Sequence, residues 1–145
     1  MAQPAKASNS PIHLLHRASQ RADFLFARNV RDTELTPRLF VVLQTVAENN
    51  GLSQTDIMAA TGIDRSSTAE LVRRLVTNGC LQRRRTRRDA RVYAVRITPT
   101  GRQLLALGAP AARATEKELL LPIPQAQRSA FLQALALIVG GPSEE

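Results

Sequence analysis

The chain has 145 residues and a net charge of +8, from 20 Lys and Arg against 12 Asp and Glu, with one cysteine and no tryptophan. That length suits one domain with a real core. The lone cysteine excludes an internal disulfide framework, and no apolar run approaches the ~20 residues that span a bilayer. With an N-terminus that lacks the apolar stretch of a secretion signal, these features predict a cytoplasmic protein.

Residues 1–11, rich in Ala, Ser, Asn and Pro, read as a mobile tail. A first helix is expected over 12–30, where Leu14, Leu15, Ala18, Ala22, Leu25 and Phe26 recur near helical spacing. Residues 31–35 form a polar connector. Thr36 then caps a second helix that has Pro37 at its first position and Leu39, Phe40, Val42, Leu43, Val46 and Ala47 as its apolar stripe. Asn49, Asn50 and Gly51 end it. Ser53 caps a short helix over 54–60, with Asp56 completing a capping box. Thr61 and Gly62 make the turn, Asp64 caps a fourth helix over 65–78, and Gly79 stops it. Ile57, Leu71, Val72, Leu75 and Val76 are expected to pack this pair together. Two helices across a short Gly-containing turn make a helix-turn-helix, whose second helix reads the major groove with its N-terminal residues.

A basic hairpin follows at once, with strands over 81–85 and 91–97 and a polar tip at 86–90. Helix-turn-helix plus hairpin is a winged helix. Thr98 and Pro99 repeat the cap-plus-proline signal and start a fifth helix over 100–121, which Pro110 is expected to kink or interrupt. Pro122 and Pro124 separate it from a sixth helix over 125–139, apolar around much of its surface, and 140–145 is a tail. The fold class expected is mainly α with a small β-hairpin wing.

Charge is concentrated rather than spread. Between Arg65 and Arg96 ten arginines face only Glu70 and Asp89, a surplus of eight that equals that of the whole chain. Such crowding of one sign repels itself, and a polyanion relieves the repulsion. A merely solvated charged hairpin is the bland alternative; its place directly after a helix-turn-helix favours DNA. Candidate DNA-binding residues are Ser53, Gln54, Thr55, Arg65, Ser66, Ser67, Thr68, Arg73, Arg74, Arg85, Arg87, Arg88, Asp89 and Arg91. Arg65 suits guanine, the hydroxyls suit bases or phosphates, and Arg73 and Arg74 serve phosphates or ion pairs within the protein.

The first, fifth and sixth helices are apolar on more faces than a lone winged helix can cover, and an exposed patch of that size is a liability. An intertwined dimer, built from N- and C-terminal dimerisation helices, resolves this better than a monomer with a self-contained helical layer. The chain is then a single domain, with helices at 12–31 and 100–139 for dimerisation and a DNA-binding lobe at 36–98.

No catalytic constellation is present, so no enzyme activity and no cofactor are expected. His13 and His16 lie three apart on one helix and open a metal-binding alternative; ordinary histidines are the simpler reading. Cys80 reads as a buried small hydrophobe.

With these residues in hand, the chain resembles the MarR family of bacterial transcription regulators over nearly its whole length. Leu35, Thr36 and Pro37 resemble the family's start of the second helix, and Leu52, Ser53 and Gln54 its start of the third. The most specific match is the wing, where Asp89 and Arg91, then Ile97, Thr98, Gly101 and Arg102, resemble a D-x-R … L-T-x-x-G-R pattern. The chain departs from the common pattern at Glu70, where arginine is frequent, and at Leu39, where glutamine is frequent. The resemblance implies a winged-helix homodimer on a palindromic operator, usually a repressor released by a small-molecule effector. It also implies that Arg91 enters the minor groove at the wing tip, oriented by Asp89. The implied effector pocket lies between the dimerisation helices and the winged lobe, with His13, His16, Arg17, Phe24, Phe40 and Leu43 as candidate lining residues. Arg17 or a histidine would hold a carboxylate and the phenylalanines a ring, so the expected ligand is an aromatic carboxylic acid, free or as a thioester. Two alternatives stand beside this one: a metal-responsive regulator using His13 and His16, and a non-specific DNA-binding architectural protein.

Overall fold

A computed structural model of the chain describes residues 6–87 and 92–140. Six α-helices and one hairpin follow a short 3-10 turn at Ala7–Asn9 among these residues: α1 Pro11–Val30, α2 Pro37–Glu48, α3 Gln54–Thr61, α4 Arg65–Thr77, β1 Leu81–Arg85, β2 Tyr93–Ile97, α5 Pro99–Leu120 and α6 Gln125–Val139. Local chemistry sets these boundaries. The hydroxyls of Thr36, Ser53 and Thr98 and the carboxylate of Asp64 each accept from a backbone N–H in the first turn that follows. Thr36 and Thr98 are each followed by proline, which needs no hydrogen-bond partner there. Gly62 ends α3 in the left-handed region at φ 71°, where a side chain would be strained.

The antiparallel hairpin runs in register from Leu81 opposite Ile97 to Arg85 opposite Tyr93. Leu52 adds a bridge to Val95, with Val95 N–H donating to the Leu52 carbonyl at 2.7 Å and Gly51 N–H to the Val95 carbonyl at 3.0 Å. The wing is therefore tied to the segment that starts α3. Val42, Leu43, Val46, Ile57, Val72 and Val95 meet in one core beneath the helix-turn-helix, joined by Phe26 and Val30 of α1 and Ala111 of α5.

α5 crosses from the lobe to α1. Its start lies so close to the α4–β1 turn that a β-carbon on Gly101 would collide with the Cys80 carbonyl. Further along, Gly108 admits Leu35 and Phe40 in the same way. The expected interruption at Pro110 does not occur, since α5 runs unbroken through it. Pro110 and Ala106, whose carbonyl loses its partner, both lie on an exposed side, where the freed carbonyl is not shut away from solvent. Buried Gly108 and Ala111 hold the helix against the lobe around this point. Near the far end, Asn29 donates to Thr115 Oγ1 at 3.1 Å and to Glu118 Oε1 at 3.0 Å, and Arg28 pairs with Glu118. These bonds hold the Glu118 carboxyl below its ordinary range, the Asn29 side chain contributing most.

Two regions stay uncovered. No residue of α6 is buried, and Leu132, Leu137, Ile138 and Val139 all face solvent. Ile12, Leu14, Leu15 and Phe24 of α1 are exposed as well. Among the described residues no helix is long and apolar enough to cross a membrane.

Candidate nucleic-acid interface and the adjoining cavity

α4 presents its N-terminus outward. Asp64 Oδ1 accepts from Ser67 N–H at 2.8 Å and Oδ2 from the Ser67 hydroxyl at 2.9 Å, which holds the Asp64 carboxyl below its usual range. Ser67 is thereby engaged in the cap, whereas Arg65 and Ser66 are fully available on the surface. Thr68 points the other way. It is wholly buried and its hydroxyl donates to the Ile63 carbonyl at 3.3 Å, so its side chain braces the turn and does not face solvent.

Arg73 and Arg74 also part company. Arg73 is exposed and paired with Glu70, so the unusual carboxylate at that position holds a neighbouring arginine. Arg74, around 100° further on the helix, is half-buried and lines a cavity behind α4.

The wing approaches the start of α3 across a cleft of about 490 Å³ that gathers Ser53, Gln54 and Thr55 with Arg83, Val92 and Tyr93. Ser53 is tied up in the capping box with Asp56, which lowers the Asp56 carboxyl through the Ser53 bonds, while Thr55 is exposed. Strand alternation puts Arg83 and Arg85 on the same side as Leu81 and Val95. The Arg85 guanidinium stacks over the Tyr93 ring, 5.8 Å from its centroid, which fixes the direction of an otherwise mobile side chain. Arg87 is exposed at the edge of the tip. Arg88, Asp89 and Arg91 lie outside the described residues.

Behind the recognition helix, α1, the start of α2, the α3–α4 turn and α4 border an open cavity of about 850 Å³. Its apolar walls include Phe26, Leu35, Val41, Ile63 and Leu71; its polar groups are Ser19, Asp23, Thr36, Arg38, Thr61 and Arg74. A smaller cleft of about 270 Å³ lies between α1, α2 and α5, bounded by Phe26, Phe40, Gln44 and Thr115 among others. Of the ligand candidates read from sequence, only Phe40 borders either space, and its ring packs on Phe26 at a centroid distance of 5.9 Å. Leu43 is wholly buried in the core, and His13, His16, Arg17 and Phe24 sit exposed on α1. Among the described residues no three His, Cys, Asp or Glu side chains gather as a metal site. Cys80 is buried, which pushes its thiol pKa up.

Sequence reasoning expected a pocket between the dimerisation helices and the lobe but named neither Asp23 nor Arg38 for it. A usable signal was present: Ser19, Ala22, Asp23 and Ala27 fall on one stripe of α1, and such small side chains leave room beside a neighbouring helix.

A sequence model of the MarR family matches residues 33–92. A Thauera aromatica protein named as a transcriptional regulatory protein for the hcr operon is 33% identical over 131 residues, which span 90% of this chain and 79% of that one. The chain belongs to the MarR family. Solved structures of MarR-type regulators share its architecture. Bordetella bronchiseptica BpsR, whose DNA binding is regulated by 6-hydroxynicotinic acid, is 28% identical with a TM-score of 0.88, over 96% of this chain and 100% of that one. The transcriptional repressor CouR, solved on a 23-mer DNA duplex, is 29% identical with a TM-score of 0.81, over 95% and 98%. This MarR-family chain is thus a winged-helix, DNA-binding transcriptional regulator.

Proposed function

We propose that this MarR-family regulator is a repressor that binds a palindromic operator as a homodimer and is released when an aromatic carboxylic acid, free or as a thioester, enters the cavity behind α4. The lobe at 36–98 reads DNA, and the helices within 12–31 and 100–139 pair with those of a second copy. Arg65 and Ser66 read base edges, Arg85 and Arg87 with Arg88 contact phosphates, and Arg91 enters the minor groove with Asp89 orienting it.

The observation that carries this reading is the shared wall: Leu71 and Arg74 of the recognition helix line the same cavity as Asp23 and Phe26 of α1. A ligand there touches both the element that reads DNA and an element that faces the proposed partner. It acts by favouring a dimer whose recognition helices no longer match half-sites one helical turn apart. The size of the cavity suits a small aromatic molecule, and the effector of BpsR is such an acid. Exposed α6 and the start of α1 supply the surface for the second copy.

The test is fluorescence anisotropy with the chain's own upstream DNA beside a scrambled duplex of equal length, at two salt concentrations. Preference for the native fragment by ~10³-fold or more is expected. Arg65→Ala should cut that preference by ~10-fold or more, since one bidentate base contact is lost per half-site. Equal binding to both duplexes, with no sites enriched in a genome-wide binding map, would overturn the reading in favour of a general DNA binder.

A further inference from the structure

The cavity behind α4 is polarised. Exposed Asp23 of α1 and exposed Arg38 of α2 line it together with half-buried Arg74 of α4. The two ion pairs among the described residues are Arg28 with Glu118 and Arg73 with Glu70, so neither guanidinium is within pairing reach of Asp23. The side chains of Asp23 and Arg74 have no hydrogen-bond partner among the described residues, and Arg38 does no more than favour the nearby Asp64 charge. The space between these charges is lined by apolar side chains such as Phe26 and Leu71.

We propose that Asp23 is the specificity-determining residue of this cavity, which takes a flat acid with its carboxylate at Arg38 and Arg74 and a neutral O–H or N–H donor at Asp23. This rests on the cavity being the effector site. The physical reason is asymmetric. A carboxylate in the wall accepts but cannot donate, so a ring hydroxyl or lactam N–H satisfies it. A methyl ether adds a methyl group and offers no donor, so it displaces water from the exposed Asp23 carboxylate and returns no hydrogen bond. A second carboxylate at that end meets a like charge. The arginines answer the opposite end of the ligand with bidentate geometry. Because Arg74 belongs to α4 and Asp23 to α1, a ligand satisfying both ties the recognition helix to the N-terminal helix.

The experiment is isothermal titration of the full chain with 6-hydroxynicotinate, 6-methoxynicotinate and 6-carboxynicotinate, three probes that differ only at one ring position. The wild type should bind the hydroxy acid ~10-fold or more tighter than the methoxy acid, and the dicarboxylate weakest. In Asp23→Ala the hydroxy-over-methoxy preference should fall below about threefold and the dicarboxylate should gain affinity; Asp23→Asn, which keeps a carbonyl acceptor, should retain part of the preference. Equal binding of hydroxy and methoxy acids by the wild type, an unchanged preference in Asp23→Ala, or binding of none of the three overturns the proposal. Specific DNA binding by the ligand-free wild type, measured in parallel, reports on the regulator reading by itself, so the two ideas fail separately.

Discussion

The helix-turn-helix lobe and the two chain ends are both rich in apolar residues and end in opposite states. In the lobe, Val42, Leu43, Val46, Ile57 and Val72 are all at 0% exposure, and four helix starts are capped by their own neighbours. At the C-terminal end, Leu137 is 77% and Val139 88% exposed on a helix with no buried residue. The lobe closes on itself because hydrophobic stripes of α2, α3 and α4 have one another to face. α6 is apolar on several sides and, among the described residues, has no partner that buries any of them. Full burial of one such side chain contributes about 1.5–3 kcal/mol, so four of them form a strong demand for a partner surface. The difference teaches that this chain stores its fold in the lobe and leaves its ends apolar and uncovered, where the proposed dimer would form.

The largest expected effect comes from breaking the ends alone. Leu132→Glu with Ile138→Glu should convert the proposed dimer to a monomer and weaken operator binding by ~100-fold or more, while far-UV circular dichroism keeps the helical signal of the lobe. Light scattering and anisotropy read the two effects. A variant that still dimerises with native affinity would place the interface elsewhere.

A second test breaks the seam between the lobe and α5 and leaves α6 and the start of α1 untouched. Gly101→Ala forces a β-carbon onto the Cys80 carbonyl, a backbone atom that cannot swing away. A loss of about 3 kcal/mol in urea unfolding is expected. A loss under about 1 kcal/mol would mean that α5 shifts freely against the α4–β1 turn.

The smallest effect sharpens the comparison by pH. Asp56 and Asp64 sit at the starts of α3 and α4 with their carboxyls lowered by Ser53 and Ser67 respectively. A lowered folded-state pKa gives stability that is present above the ordinary carboxylate range, near ~4, and is lost as pH falls through the folded value. The urea midpoint of the wild type should therefore drop below about pH 4. Asp64→Asn, which still caps, should show a shallower drop; an identical pH profile in the variant would remove Asp64 from the cause.

Much of the winged helix could be read residue by residue. The caps at Thr36, Ser53, Asp64 and Thr98 fall where the oxygen-bearing-residue-then-helix pattern put them, because a cap is satisfied within three residues of chain. The residues proposed to face DNA differ in how they sit. Arg65, Ser66 and Arg87 lie exposed as expected of DNA-facing groups, whereas Thr68, read as one more hydroxyl of the set, turns inward to Ile63. Helical spacing assigns a face only after the neighbouring element is known. The ligand candidates show the same gap: His13, His16 and Arg17 carry suitable chemistry but lie on the part of α1 that the rest of this chain does not cover.

By itself, then, the sequence determined what short-range physics can fix: helix starts and stops, the turn glycines, the pairing of a basic hairpin, and the concentration of arginine between positions 65 and 96. The tertiary structure decided what depends on residues far apart in the chain. It ran α5 through Pro110, set Arg73 toward solvent and Arg74 toward the cavity, and brought Asp23 of α1 to the wall of a space that α4 also borders. No local rule contains those outcomes, because a cavity is defined by the walls that meet around it, and these walls are contributed by segments about fifty residues apart.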